Sequence, residues 1–140
     1  MISKVYDTLP EEAAMIRRAV FMDEQGFVQE FDETDHLARH IVLFDGKTPV
    51  AVCRFFPGDT PGDYIVGRIA VMKPYRSRGL GAEVLRAAEN AAAALHGNTI
   101  RLHAQISAKG FYEKQGYAAY GEEDLDEDCP HIWMRKTLTT

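Results

Sequence analysis

The chain has 140 residues, of which 46% are hydrophobic, and it carries a formal net charge of −5 at pH 7. This length allows one hydrophobic core and leaves no room for a second substantial domain. The negative charge argues against a general role on nucleic acids or membrane surfaces. We therefore expect residues 1–140 to form a single domain, with no nucleic acid and no membrane as partner.

The cellular location is predicted from the N-terminus and the cysteines. Residues 1–10 lack the apolar core of a signal peptide, and no apolar run approaches about 20 residues. Cys53 and Cys129 lie far apart without Cys-x-x-Cys spacing, which predicts free thiols rather than a disulfide or a structural zinc site. These features predict a cytoplasmic protein.

The N-terminal half predicts a helix followed by three strands. Residues 8–11 fit a capping box with an early proline, and the helix that follows should end before Gly26. An acidic, irregular segment then covers residues 27–39. The Asp45-Gly46 pair indicates a hairpin. Apolar and β-branched runs predict an antiparallel meander of strands at residues 40–44, 49–56 and 65–71.

The C-terminal half predicts two helices and three strands. The alanine-rich run at residues 82–95 reads as a helix, and alternation at Thr99–Gln105 predicts a strand. Ser107 is expected to cap a short helix that ends at Gln115, with Gly116 in the left-handed conformation that often follows a helix. Residues 117–120 and 131–135 predict two final strands, separated by an acidic loop at residues 122–128.

The segment Arg76-Ser77-Arg78-Gly79-Leu80-Gly81 lies between a predicted strand and a predicted helix. Glycines at such a junction let backbone N–H groups approach a ligand, and the helix start adds unsatisfied donors and a positive dipole end. A P-loop motif is absent, and Val84 replaces the third glycine of a dinucleotide fingerprint. The segment therefore predicts a cradle for phosphate oxygens, and the alternative is an ordinary strand-to-helix turn.

The pattern Arg-x-x-Gly-x-Gly in this segment resembles the coenzyme A motif of GNAT acetyltransferases. A second segment, AKGFYEKQGY at residues 108–117, resembles the family signature A-x-x-F-Y-x-K-x-G-[FY]. The order of predicted elements is similar to that family as well, and residues 20–25 and 129–136 look like its small bacterial ElaA/YjcF-like subgroup. The resemblance implies the α/β GNAT fold, with a mixed, mostly antiparallel central sheet flanked by helices.

The resemblance also implies an N-acetyltransferase that uses acetyl-coenzyme A (acetyl-CoA), without a metal. A primary amine of a small molecule or peptide would attack the thioester directly in a ternary complex. In the family, the strand before the loop splays from its neighbour, and here the Val71 N–H would stabilise the developing oxyanion. Tyr112 occupies the family's tyrosine position and would protonate the leaving thiolate. The residues expected to bind the coenzyme are Ile69, Ala70, Val71, Arg76, Ser77, Arg78, Gly79, Leu80, Gly81 and Ala82.

The chain lacks the carboxylate that serves as the general base in many GNAT enzymes. Many GNAT enzymes carry a glutamate on the strand that leads into the coenzyme loop, whereas residues 64–71 contain no carboxylate. His131 is our candidate for the catalytic set, because imidazole titrates near neutral pH. The alternatives are Glu24, Asp35, His40 and a water-mediated base. The missing carboxylate also motivates a second hypothesis, in which the chain is a non-catalytic sensor or regulatory module that binds acyl-CoA.

Other features concern the acceptor, metals and assembly. Arg54 and Arg68 would favour a carboxylate-bearing acceptor if they line its pocket, and ion pairs or a solvated strand face are the alternative. The acidic run at residues 122–128 would attract cationic polyamines or lysine-bearing substrates.

His36 and His40 lie four residues apart but lack the glutamate of a zincin motif, so we predict no metal. Exposed edge strands would allow a homodimer.

Overall fold

A computed structural model describes residues 1–28 and 30–138. Seven strands form one sheet in the order β1-β2-β3-β4-β5-β7-β6. The β4–β5 pair is parallel and the other neighbouring pairs are antiparallel, which confirms the predicted mixed sheet. The strands are β1 (Ile2–Tyr6), β2 (Arg39–Asp45), β3 (Thr48–Pro57), β4 (Asp63–Val71), β5 (Thr99–Gln105), β6 (Ala118–Asp126) and β7 (Cys129–Thr137), and the helices are α1 (Glu11–Arg17), α2 (Leu80–Ala94) and α3 (Lys109–Lys114).

Both faces of the central strands are covered, which explains their continuous apolar runs. Along β2, Ile41 and Leu43 pack on the side of α2, whereas Val42 and Phe44 pack on the side of α1. Side chains alternate between the faces of a strand, so each face receives every second residue. Ala88 of α2 is fully buried, because a small side chain allows the helix to approach the sheet closely. Within the described residues, no helix is long and apolar enough to cross a membrane.

Helix α1 continues into a π-helical turn at Arg18–Glu24 and ends before Gly26, as predicted. Its start differs from the prediction. Pro10 is the N-cap residue and no side-chain cap hydrogen bond is present, so the capping box predicted at residues 8–11 is wrong. The helix begins at Glu11, which leaves Thr8 outside its first turn. π-Helical turns occur often at functional sites, and this one borders the cavity described below.

The two edge strands differ most from the prediction. The sequence does not predict β1, because its residues are mostly exposed and lack the apolar alternation of a half-buried strand. The acidic loop predicted at residues 122–128 is wrong: β6 extends to Asp126, and an edge strand can keep carboxylates in solvent. A two-residue turn at Glu127 and Asp128 joins β6 to β7, with positive φ angles of 49° and 64°.

Helix α3 follows a 3-10 turn at Ile106–Ala108. Ala108 is its N-cap residue and makes no side-chain cap hydrogen bond, so the cap predicted at Ser107 is wrong. Gly116 has a φ of 95°, which confirms the predicted left-handed residue after the helix. Helix α3 carries Tyr112 and connects β5 to the β6–β7 hairpin.

Strands β4 and β5 separate at the end that leads into the glycine loop. Their parallel pairing runs from Asp63–Thr99 to Val66–Leu102 and then stops, although both strands continue. At this point β4 also bulges against β3, and Arg68 adopts a φ of 54°. A bulge bends a strand away from its neighbour. The splay that the family resemblance implied is therefore present.

Candidate active site

A cavity of about 450 Å³ opens where β4 and β5 separate. Its walls come from the π-helical turn, the two strands, α3 and the β6–β7 hairpin. Tyr112 and His131, predicted from separate parts of the sequence, line the same cavity. A Cβ at Gly67 would meet no atom within 4 Å, so the strand wall is open there. The lining residues used below are Phe21, Phe27, Glu30, Asp32, Arg54, Arg68, His103, Tyr112, Asp126, Glu127 and His131.

The end of β4 presents free backbone groups to the gap. The Met72 N–H donates to the Val50 carbonyl at 2.9 Å, which makes Val71 and Ala51 a non-hydrogen-bonded pair. The N–H of Val71 therefore points away from β3 and towards the gap. Ile69 lines the cavity, whereas the main-chain groups of Ala70 alternate back towards β3.

The glycine loop leaves several backbone donors without partners. Ser77 and Gly79 have positive φ angles of 66° and 76°, and Gly79 is the N-cap residue of α2. The first backbone bond into α2 runs from the Glu83 N–H to the Gly79 carbonyl at 3.1 Å. The N–H groups of residues 77–82 have no protein acceptor within the described residues. Such a set of N–H groups at a helix start suits an anionic ligand.

The two arginines of this loop differ in their surroundings. Arg76 donates two hydrogen bonds to the Glu24 carboxylate, at 2.6 and 2.7 Å, and one to the Val71 carbonyl at 2.9 Å. Its charge is therefore already compensated. Arg78 lies over the ring of Tyr75, with 5.3 Å from guanidinium carbon to ring centroid. The backbone and Arg78 are thus the groups best placed to meet a phosphate.

Tyr112 sits on α3 among aromatic neighbours. Its ring makes edge contacts with Phe111 at 5.1 Å and with Tyr117 at 6.1 Å between centroids. Burial raises the pKa of Tyr112 above the usual value of a phenol. Its hydroxyl has no hydrogen-bonding partner in residues 1–28 and 30–138. The phenol is therefore protonated at neutral pH and free to donate.

His131 has a defined tautomer. Its Nδ1 lies 2.8 Å from the carbonyl oxygen of Cys129. A carbonyl accepts but cannot donate, so Nδ1 carries the proton and Nε2 of the neutral ring has a lone pair. His131 is 5% exposed and lines the cavity, and no described residue bonds its Nε2. This nitrogen is able to accept a proton from a group in the cavity.

The other three candidate bases lie outside the cavity, and the structure explains each of them otherwise. Glu24 is held by Arg76, and this hydrogen bond lowers its pKa. Asp35 is buried; hydrogen bonds from Arg17 and Arg54 outweigh that burial and lower its pKa to about 2. His40 is fully buried, donates from Nε2 to the Asp35 carbonyl at 3.1 Å, and has a pKa lowered by burial.

The arginines predicted for the acceptor pocket are engaged in a buried ion network. Arg54 bonds Asp32 at 2.7 Å and Asp35 at 2.8 Å, while Arg68 meets Glu30 at 3.1 Å and Asp32 at 3.4 Å. Arg17, 0% exposed, binds Glu30 at 2.6 Å and Asp35 at 2.8 Å. Three arginines thus face three carboxylates. The ion-pair alternative accounts for Arg54 and Arg68 without a bound carboxylate.

Two residues that lie beside His131, His103 and Asp126, were not predicted as members of a catalytic site. One nitrogen of each imidazole and one carboxylate oxygen of Asp126 lie within 4.8 Å of one another. The two imidazoles stack with centroids 4.6 Å apart and planes 29° apart. Lone pairs in such nearly parallel planes do not converge on one point, so a shared metal would require the rings to rotate. Period-two alternation could have placed His103 on the face of its strand, but Asp126 fell in a predicted loop.

His36 and His40 do not share a helical face. His36 ends a 3-10 turn at Glu33–His36, and His40 lies within β2. The sequence spacing of four residues therefore has no meaning for metal binding here, because it corresponds to a common face only on a helix.

Comparison with known proteins identifies the family. The acetyltransferase (GNAT) domain family matches residues 7–138. The chain belongs to this family. YjcF of Bacillus subtilis, an uncharacterized N-acetyltransferase, is 37% identical over 129 residues, which are 90% of this chain and 91% of YjcF. This similarity confirms the resemblance to YjcF-like proteins.

Solved structures confirm the GNAT fold. An acyl-CoA N-acyltransferase from Pseudomonas aeruginosa has a TM-score of 0.84 and 27% identity, covering 96% of this chain and 98% of its own. ElaA of Escherichia coli has a TM-score of 0.85 and 23% identity, and the similarity covers 96% of this chain and 98% of the ElaA chain. An aminoglycoside 6'-N-acetyltransferase solved with coenzyme A has a TM-score of 0.78 and 19% identity. The similarity covers 98% of this chain and 97% of the aminoglycoside acetyltransferase chain. The last two likenesses concern the fold alone.

Proposed function

We propose that residues 1–140 act as one N-acetyltransferase domain, which moves an acetyl group from acetyl-CoA to a primary amine of a small molecule or peptide. The observation that carries this proposal is the gap between β4 and β5. It joins a set of unpartnered N–H groups at the start of α2 to a cavity lined by Tyr112 and His131. A cytoplasmic location and a homodimer remain predictions of the sequence.

Coenzyme binding is assigned to backbone groups more than to side chains. The N–H groups of residues 77–82 would donate to the pyrophosphate, and Arg78 would add charge. The open side of β4 around Ile69 and Val71 would accompany the pantetheine arm. A protein of the same fold was solved with coenzyme A, which supports this assignment. Arg76 would instead brace the loop, because Glu24 and Val71 already bind its guanidinium.

The chemistry requires two proton transfers. The amine nitrogen forms a bond to the thioester carbonyl carbon, and the bond from that carbon to sulfur breaks. His131 accepts the proton that the amine loses, through Nε2, and Tyr112 donates a proton to the departing sulfur. The Val71 N–H faces the gap and would stabilise negative charge on the carbonyl oxygen.

The alternative is a non-catalytic module that binds acyl-CoA. The missing carboxylate on β4 motivates this alternative, whereas a histidine with a free Nε2 in the cavity favours catalysis.

Replacing Tyr112 by Phe tests catalysis directly. We expect acetyl-CoA-dependent thiol release with an amine panel to fall about 100-fold in kcat, the lower end of general acid catalysis. Affinity for the coenzyme should stay unchanged, because the substitution removes one oxygen from the cavity. Tyr6→Phe, on the edge strand β1, is the matched control. Absence of turnover by the unchanged chain with all amines, despite coenzyme binding, would favour the non-catalytic module.

A further inference from the structure

We propose that the cavity selects a cationic acceptor, an amine that carries a second positive charge, over an amine that carries a carboxylate. A short diamine is the simplest member of this class. The inference rests on the proposed function, because it names the substrate class of the same site. It replaces the prediction of a carboxylate-bearing acceptor, which depended on Arg54 and Arg68.

The arginines on the cavity wall are already paired with carboxylates of the chain. Arg54 is 5% exposed, and its ion pairs with Asp32 and Asp35 are at 2.7 and 2.8 Å. Arg68 is shared between Glu30 and Asp32. A carboxylate-bearing acceptor would have to compete with these carboxylates, and displacing the buried Glu30 or Asp35 would leave an unpaired charge in the interior.

The opposite wall carries negative charge. Asp126 forms no ion pair with a lysine or arginine within residues 1–28 and 30–138. Four carboxylates line the cavity, those of Glu30, Asp32, Asp126 and Glu127, against two arginines. Counted over these carboxylates and arginines alone, the lining has a formal charge of −2, which favours a cation over an anion. The β6–β7 hairpin, which carries Asp126, also carries the exposed carboxylates of residues 122–124, which extend the negative potential outwards.

An unpartnered imidazole nitrogen of the buried His131, close to Asp126, indicates where the reacting amine would bind. His131 is 5% exposed, its Nδ1–H is bound to the Cys129 carbonyl, and its Nε2 is unpartnered within the described part of the chain. Asp126 lies close enough for an ammonium group to contact both the carboxylate and an imidazole nitrogen. Asp126 would hold the amine as it arrives charged. The ammonium would release one proton to solvent before it attacks, and His131 would accept the second proton, which the nitrogen loses on forming the new bond.

Aromatic rings complete a site suited to a cation. Phe21 and Phe27 line the cavity and meet edge to face, with centroids 6.4 Å apart. Aromatic faces attract ammonium groups, and their surfaces also accommodate the methylene chain between two amino groups.

Three amines of equal chain length but different charge test the inference: 1,4-diaminobutane, n-butylamine and 4-aminobutanoate. Each is titrated calorimetrically into protein saturated with coenzyme A. We expect affinity to fall in that order, with about tenfold or more between the diamine and the amino acid, as for a charge-assisted contact. Equal or tighter binding of 4-aminobutanoate, or no binding of any amine, would overturn the proposal.

Asp126→Asn removes the charge and keeps the shape. It should weaken the binding of all three amines, because each presents its reacting ammonium group to Asp126. Glu123→Gln removes one charge from the same hairpin outside the cavity lining and should leave the affinities nearly unchanged. Unchanged affinities in Asp126→Asn would overturn the role of Asp126. If the charge order holds but no amine supports thiol release, the proposed transferase function fails while the cationic site remains.

Discussion

At the scale of single residues, a carbonyl acceptor decides which nitrogen of His131 can act as a base. The Cys129 carbonyl oxygen accepts the hydrogen bond from Nδ1–H of His131, so Nε2 remains free in the cavity. The other candidates are excluded by their partners rather than by their chemistry. Asp35 is held between two arginines, and Glu24 is held by one.

His131→Asn should lower kcat/KM about 100-fold or more, because it removes Nε2. An asparagine amide can still donate to the Cys129 carbonyl, so the fold should be retained. His36→Gln, an exposed histidine outside this cavity, provides the control. A folded variant with an unchanged kcat/KM would exclude His131 as the base.

The sequence predicted Tyr112 because it stands in a recognisable motif, and His131 because of its residue type. It could not predict the partners that distinguish a free histidine from a blocked one. Asp35 and Arg54 are 19 positions apart in the chain yet form a buried ion pair, and no local pattern encodes such a contact.

At the scale of elements, the junction between β4 and α2 determines how an anion could bind. Gly79 has a φ of 76°, and a Cβ there would meet no atom within 4 Å. The surroundings of Gly81 are different, because a Cβ added there would lie 3.3 Å from the Phe111 ring. A large residue at position 81 would therefore disturb α3 and Tyr112, and it would not isolate the role of the loop.

Gly79→Asn should weaken acetyl-CoA binding about tenfold or more while changing the free energy of unfolding by less than about 1 kcal/mol. Asparagine tolerates the left-handed conformation, so the added side chain would occupy the open loop without large backbone strain. Calorimetric titration measures the affinity. Gly46→Asn, at another positive-φ turn with open space, is the control. Unchanged affinity in a folded Gly79→Asn variant would exclude this loop as the coenzyme site.

The interior elements were predictable, because strands covered on both faces give continuous apolar runs and a helix packed on a sheet gives a periodic apolar pattern. The two edge strands, β1 and β6, were less predictable. β1 has little apolar surface to bury, and the acidic part of β6 is held as a strand by pairing with β7 rather than by its own composition. The acidic residues that line the cavity were therefore placed in a loop.

At the scale of the whole molecule, the buried ion network joins the irregular segment after α1 to the sheet. Arg17 and Arg54 come from α1 and β3, and both bind Asp35. A buried carboxylate between two arginines is costly to remove, because both cations lose a partner in the interior.

Asp35→Asn should lower the free energy of unfolding at neutral pH by about 3 kcal/mol. The pKa of Asp35 is lowered to about 2 in the folded chain, so its contribution is present above the unfolded pKa of 3.8 and is lost as the pH falls towards 2. The difference between variant and unchanged chain should therefore shrink over that window. Glu30 acts in the opposite sense, since burial raises its pKa, but it is common to both proteins.

Denaturant unfolding at several pH values checks this prediction. Asp7→Asn serves as the control, because the Asp7 side chain is 88% exposed. A difference that stays constant down to the lowest pH would show that Asp35 contributes through packing rather than through its charge.

Binding of coenzyme A at the start of α2 is tested by titrating the unchanged chain with acetyl-CoA, compared with dephospho-coenzyme A and NAD. We predict saturable binding of acetyl-CoA and much weaker binding of NAD, because the loop lacks the third glycine of a dinucleotide fingerprint. Absence of acetyl-CoA binding by folded protein would contradict both the transferase and the non-catalytic coenzyme-binding module.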